Sequence, residues 1–191
     1  CIFPKKGYLE ALRQLTRDND VLLIFDEILS GFRMGPGCAQ AYYGVTPDLC
    51  TLGKALGGGL PISAFCGRRE VMEQVAPLGR VAHSGTYNGH LINVVAALAA
   101  LEEMSSPGFY DHIFALAGRL YEGFEEAFRR TGVKGHIQHL GARFGIFFGI
   151  EEEVTDYRQS ERHDKGMMLR FIREAAARGV YFHDYGGIAV H

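Results

Sequence analysis

The chain has 191 residues, 47% of them hydrophobic and 22% charged, with a formal net charge of −2 at pH 7. That length and composition exclude wholesale disorder and suffice for one large domain or two small ones with a real core. The near-neutral charge gives no electrostatic footprint for nucleic acid or an anionic membrane, and no stretch reaches the roughly 18 apolar residues of a membrane span. From Gly7 to Asp20 the pattern is helical, with Leu9, Leu12 and Leu15 on one face and Arg13, Gln14 and Arg17 elsewhere. Val21 to Phe25 is a continuous apolar run, which predicts a strand covered on both faces, as in a parallel sheet. It stops at Asp26-Glu27. A glycine-rich loop, a short segment at Ala39–Tyr43 and a turn at Gly44–Asp48 follow. Leu49–Leu52 reads as a second buried strand, Ser63–Cys66 as a third, and Arg69–Val75 as a short helix.

His90 to Met104 predicts a helix apolar nearly all round, which should be buried. Ser105-Ser106-Pro107-Gly108 is the clearest break in the chain. Beyond it, Asp111–Arg130 predicts an amphipathic helix, and Val133–Leu140 and Arg143–Ile150 two strands around a Gly141 turn. Glu151–Lys165 reads as a polar loop, Met167–Arg178 as a helix and Val180–Phe182 as a last strand. We therefore expect an α/β portion over residues 1–105 and an α+β portion over 106–191. The four cysteines, Cys1, Cys38, Cys50 and Cys66, show no CxxC pair and no metal-ligand spacing. No metal site is expected, and the cysteines read as reduced thiols of a cytoplasmic protein. No basic segment with an apolar run behind it marks a secretory leader. The chain starts at Cys1 and ends just after the strand-like Gly187-Ile188-Ala189-Val190, so both ends are expected to be cuts through a longer chain.

Three places carry chemistry. Asp26 stands at the carboxyl end of a buried strand, where open α/β sheets bind ligands. A charge there needs a cationic partner. Read alone, Asp26 either caps a helix, pairs with Arg33, or holds a ligand. Lys54 is one of five lysines against 15 arginines, and lies between an apolar strand and the triplet Gly57-Gly58-Gly59. A partly desolvated lysine can attack carbonyls, and glycines let the backbone approach a bulky ligand. The alternative is a lysine that snorkels from a strand end. Third, Ser84-Gly85-Thr86-Tyr87-Asn88-Gly89 precedes the apolar helix, where free N–H groups attract phosphate and where Thr86 or Asn88 would equally serve as a cap. His83 beside this segment either lines a site or makes a structural hydrogen bond.

The order of these segments resembles one family. Ile24–Arg33, Gly44–Leu49, Gly53–Pro61 and Ser84–Tyr87 closely resemble the class III aminotransferases, pyridoxal-phosphate (PLP) enzymes of fold type I. The Phe32-Arg33 ending and the run Gly67–Met72 look most like the glutamate-1-semialdehyde aminomutase branch. The resemblance implies the carboxyl-terminal part of the fold type I large domain, mainly parallel sheet with helices, followed by an α+β small domain incomplete at its end. It implies transfer of an amino group between an amino acid or amine and a keto acid or aldehyde. Lys54 would form the Schiff base with PLP and move the proton. Asp26 would pair with the pyridinium nitrogen, Ile28 would cover one ring face, and Gly85 and Thr86 would hold the phosphate. Thr86 would reach the neighbouring subunit's site in a homodimer. Arg33 is read as structural, and Glu27 as structural or as a support for the site.

Two departures qualify what the resemblance implies. After Thr86 the aminomutase branch ends its motif Gly-Asn-Pro, whereas this chain reads Asn88-Gly89-His90-Leu91. Loss of the proline leaves the helix start less fixed in φ and favours a related aminotransferase over a strict intramolecular aminomutase, which stays the alternative. The chain is also about half of what the family needs. The family's phosphate loop and the aromatic residue that stacks on PLP are expected upstream of Cys1. A truncated, non-catalytic fragment is therefore a third reading.

Overall fold

The computed structural model describes residues 1–182. The chain divides into two units, one of residues 6–110 and one in which residues 1–5 join residue 111 onward.

The first unit opens with α1 (Tyr8–Asp18), whose leading residue follows Gly7 at φ 83°. The expected apolar face is only half used: Leu9 and Leu12 are half-buried, Leu15 is exposed, and Arg13 is buried at 8% exposure. The cause lies 35 residues away. Arg13 donates to the Asp48 carboxylate at 2.7 Å, and Asp48 is itself buried. Arg68 reaches the other Asp48 oxygen at 3.1 Å, and the Leu23 N–H donates at 2.8 Å. With the Leu23 N–H as the leading donor and two guanidiniums beside it, the Asp48 carboxyl falls to about 2. One buried carboxylate thus ties α1 to the starts of both first strands.

Those strands are β1 (Ile24–Glu27) and β2 (Leu49–Leu52), which pair in parallel through a crossover containing α2 (Cys38–Tyr43). The third strand, β3 (Ala64–Gly67), runs antiparallel to β2. The short helix α3 (Arg69–Met72) follows it. Asp26 lies inside β1 rather than beyond it, and β1 is not covered on both faces. Among the described residues nothing covers Val21, Leu22 or Ile24, which are exposed. Glu27, alternating with Asp26, points inward and is 1% exposed. Its oxygens accept from Ala39 N at 2.6 Å, from Gln40 N at 3.2 Å and from Gln40 Nε2 at 3.2 Å. Glu27 therefore fixes the start of α2 to the sheet.

Next comes α4 (Leu91–Met104), ended by the Ser105–Gly108 break. Its expected burial is realised on one side only. Asn93, Ala97 and Met104 are buried, while Leu91, Ile92, Val94, Val95 and Leu98 are exposed. A helix that is apolar all round offers more surface than the described residues of this unit cover. It packs chiefly on the 3₁₀ segment Lys54–Gly57. Asn93 Nδ2 donates to Pro61 O at 2.7 Å, and a side chain at Gly58 would meet the Ala100 Cβ at 3.3 Å.

The second unit is built from α5 (Phe109–Thr131), which begins at the junction, the hairpin β4 (Gly135–Leu140) and β5 (Arg143–Phe148), α6 (Tyr157–Ser160) and α7 (Lys165–Ala177). Gly141, at φ 57°, takes the first turn position between the strands, where glycine is favoured. Strand β5 is buried on both faces. Ile146 and Phe148 pack with Met168, Phe124, Phe128 and Phe171, while Phe147 faces a second cluster with Ile150 and Val154. Gln138 Nε2 donates to Cys1 O at 2.6 Å and to Val154 O at 2.9 Å, which holds the first residues in this unit.

Two expectations fail in this unit. The run Glu151–Lys165 is not all loop. Asp156 accepts from Gln159 N and starts α6, and Asp164 accepts from Met167 N and starts α7. No strand forms at 180–182. Val180 N instead donates to Ala175 O at the end of α7, and the Phe182 ring packs on Phe171 at 5.0 Å. His183, Asp184, the run Gly187–Val190 and His191 lie outside the described residues.

Candidate functional site

Parallel pairing puts Asp26 opposite Thr51, so the carboxyl ends of β1 and β2 lie side by side. Thr51 Oγ1 donates to Asp26 Oδ1 at 3.0 Å, and the Ile28 N–H donates to the same oxygen at 3.0 Å. These two donors orient the carboxylate. Its second oxygen, Oδ2, takes no hydrogen bond from the described residues, and the side chain is exposed. The sequence pattern marks Thr51 only as part of a strand. The signal that would have found it is register, since Asp26 and Thr51 occupy matching places near the ends of their strands.

Lys54 follows β2 by two residues, at the same edge. It is exposed rather than partly desolvated. Its apolar neighbours turn inward, with Leu56 buried and Leu52 and Ala55 half-buried, and leave the lysine facing out. Its backbone sits at φ 47°, the left-handed region that L-residues other than glycine seldom enter. Such strain persists where surrounding structure enforces it, and it gathers at functional sites. Here the 3₁₀ turn packs against α4, where Gly58 admits the close approach, and against Ile62, which a side chain at Gly57 would meet at 2.9 Å. Ile28 lies beside Gly53, where an added Cβ would stand 3.4 Å from Ile28 Cγ2. The edge thus gathers an oriented, open carboxylate, a strained lysine and a half-buried aliphatic side chain in one unit.

Gly85 and Thr86 stand in the exposed loop before α4. Asn88 N donates to Gly85 O at 3.0 Å, and a side chain at Gly85 would meet Asn88 Oδ1 at 2.7 Å. The Asn88 amide lies 3.3 Å from His83 Nδ1, and the His83 ring meets Phe65 edge-on at 5.0 Å. His83 thus has structural partners. His90 holds the cap position of α4 without a side-chain hydrogen bond, so neither Thr86 nor Asn88 caps the helix. His83, Tyr87, Asn88, His90 and Asn93 line an open polar cleft of about 250 Å³. No hydrogen bond among the described residues links this loop to Asp26 or Lys54. Among the described residues no helix is long and apolar enough to cross a membrane.

The architecture is that of the PLP-dependent transaminases. An omega-transaminase from Sphaerobacter thermophilus superposes with a TM-score of 0.87 at 32% identity, over 98% of this chain and 43% of that one. A beta-phenylalanine aminotransferase from Variovorax paradoxus does so with a TM-score of 0.87 at 27% identity, over all of this chain and 44% of that one. The family model for class-III aminotransferases matches residues 1–190, and the chain belongs to that family. Among curated relatives, a glutamate-1-semialdehyde 2,1-aminomutase of Thermomicrobium roseum is 45% identical over 177 residues, 93% of this chain and 41% of that protein. The enzyme of the same name from Methanocaldococcus jannaschii is 41% identical over 181 residues, 95% of this chain and 42% of that protein. The chain therefore spans about two fifths of the length of these relatives.

Proposed function

We propose that this chain is part of a PLP-dependent aminotransferase that moves an amino group between an amino acid or amine and a keto acid or aldehyde. The observation that carries the reading is Lys54, held in a left-handed backbone at the strand edge where Asp26 keeps one carboxylate oxygen open. The residues present fit the cofactor. Asp26 Oδ2 would accept a hydrogen bond from the protonated ring nitrogen while Thr51 and Ile28 N hold Oδ1 in place. Ile28 would cover one ring face, and Gly85 N and Thr86 Oγ1 would hold the phosphate. When bound, PLP supplies an aldehyde for the amine and a ring that takes up the electron pair left on the substrate carbon. Lys54 Nζ would remove the proton from that carbon and return it.

On this reading, residues 1–105 belong to a large cofactor-binding domain and 106–191 to a small one. The protein would be a cytoplasmic homodimer in which Thr86 serves the neighbouring site. An intramolecular aminomutase is the second reading, favoured by the names of the relatives above 40% identity. The two differ in need: an aminotransferase requires a separate acceptor, and an aminomutase returns an isomer of its single substrate.

The test is the visible absorbance of the purified chain with added PLP, beside Lys54→Ala. We expect a yellow band that survives dialysis and vanishes in the variant. A native chain that stays colourless would remove the reading for these 191 residues and leave the non-catalytic fragment in its place.

A further inference from the structure

The antiparallel register of β2 and β3 sets Cys50 directly opposite Cys66, and their sulfur atoms lie 3.2 Å apart. Directly opposed residues in such a ladder have Cα atoms about 4.5–5.5 Å apart, inside the roughly 4.4–6.8 Å that disulfides span. Both side chains leave the same face of the sheet, so the sulfurs can close without moving the backbone. The partners differ in access. Cys50 is buried at 5% exposure and Cys66 is exposed. Gln40 Nε2 lies 3.6 Å from Cys50 Sγ, aimed as a donor. The third thiol of the unit, Cys38, lines the same open cleft of about 390 Å³, but its sulfur turns to Pro36 O at 3.8 Å.

We propose that Cys50 and Cys66 are an oxidation site, a thiol pair that a peroxide converts to a reversible disulfide. The exposed Cys66 sulfur attacks one peroxide oxygen. The O–O bond breaks, an S–O bond forms and one water leaves, so Cys66 becomes a sulfenic acid. Cys50 Sγ then attacks the Cys66 sulfur. The S–S bond forms, the S–O bond breaks, and the departing hydroxide leaves as a second water with the Cys50 proton. Two thiols lose two electrons in all, and the peroxide gains them.

The order of attack follows from the environment. Burial, then the neighbouring Cys66 thiol, pushes Cys50 up to about 11, which makes it the resolving partner rather than the one that meets the oxidant. Gln40 offers its amide to the sulfur as it loses its proton. The bond would tie β2 to β3 beside Thr51, the residue that orients Asp26. The inference does not depend on the reading of Lys54.

The experiment treats the folded chain with hydrogen peroxide at neutral pH, alkylates the remaining thiols and maps tryptic peptides by mass. We expect peptides 34–54 and 55–68 to be linked, the chain to be lighter by two hydrogen atoms, and dithiothreitol to reverse both. Titratable thiols should fall from four to two. Cys66→Ser, at an exposed position, should abolish the link, and Cys38→Ser should leave it intact. Linking should be roughly tenfold or more faster in the folded than in the urea-unfolded chain, because the fold holds the sulfurs together. Three results would overturn the proposal: Cys66 as sulfinic acid with Cys50 still alkylated, a link lost in Cys38→Ser, or equal rates in the folded and unfolded chains.

Discussion

The largest fully buried side chain in the unit of residues 6–110 is a carboxylate, Glu27; in the other unit it is a phenyl ring, Phe147. The first unit binds its elements through charged groups that reach across the chain. Asp48 gathers Arg13, Arg68 and the Leu23 N–H, and Glu27 gathers the start of α2. Much of its apolar surface, from Val21 and Ile24 to Leu91, Val95 and Leu98, stays exposed. The second unit seals a two-sided aromatic and aliphatic core around β5. Directional contacts fix this strand edge, while the apolar faces beside it stay open among the described residues.

The largest effect should come at the apolar end of this comparison. Phe147→Ala removes a ring that is 0% exposed, and such truncations cost about 3–5 kcal/mol. Urea unfolding followed by near-ultraviolet circular dichroism should show the midpoint of the second unit falling sharply. A midpoint unchanged within error would show that the packing around β5 is not what holds this unit.

The polar end is tested by Asp48→Asn. The change keeps the shape but leaves the buried Arg13 guanidinium without its anion, a loss of about 3 kcal/mol. Acid should do the same. The Asp48 carboxyl is held below its ordinary 3.8, at about 2. Its contribution is thus complete above 3.8 and drains away as the pH falls toward 2. The native protein should lose stability across that window and Asp48→Asn should lose less. Parallel pH curves for the two proteins would assign the stability of this unit to something other than Asp48.

The same contrast explains what could be read from the residues alone. Leu49–Leu52 was legible to the residue because Pro47-Asp48 and Gly53 bracket it. The helix at 109–131 was legible because its amphipathic periodicity is long, and the helix at 91–104 because a long Ala/Leu/Val-rich run ends at the Ser105–Gly108 break. The burial of Arg13 was not, because its reason is a carboxylate 35 positions away. Nor was the exposure of α4 or Val21. Apolar pattern states what a segment can bury, and among the described residues the partners that would cover these faces are absent. At the candidate site, Asp26 and Lys54 could be placed at strand ends from pattern. The exposure of both, the strain at Lys54 and the hold of Thr51 on Asp26 depend on register, which no local window contains.

The smallest effect concerns a flaw in the sealed unit. His163 is 4% exposed, and both of its ring nitrogens are buried without a hydrogen-bond partner among the described residues. Burial, with Lys165 adding to it, holds the imidazole below its ordinary 6.5, against the opposing pull of Asp164 and Glu161. Above pH 6.5 the ring is neutral both folded and unfolded, and pH has no leverage on it. Below 6.5 the unfolded chain takes up a proton that the folded ring resists, so the second unit should weaken as the pH falls through 6. His163→Leu removes both the titration and the unpaired nitrogens. It should raise stability by about 1 kcal/mol at neutral pH, with a larger gain at pH 5.5, read as the shift in urea midpoint at the two pH values. The edge-on contact of His163 with Phe147, with ring centroids 6.4 Å apart, is the interaction the variant gives up. A variant less stable than the native chain at both pH values would mean that this contact outweighs the unpaired nitrogens, and that His163 belongs to the aromatic core rather than interrupting it.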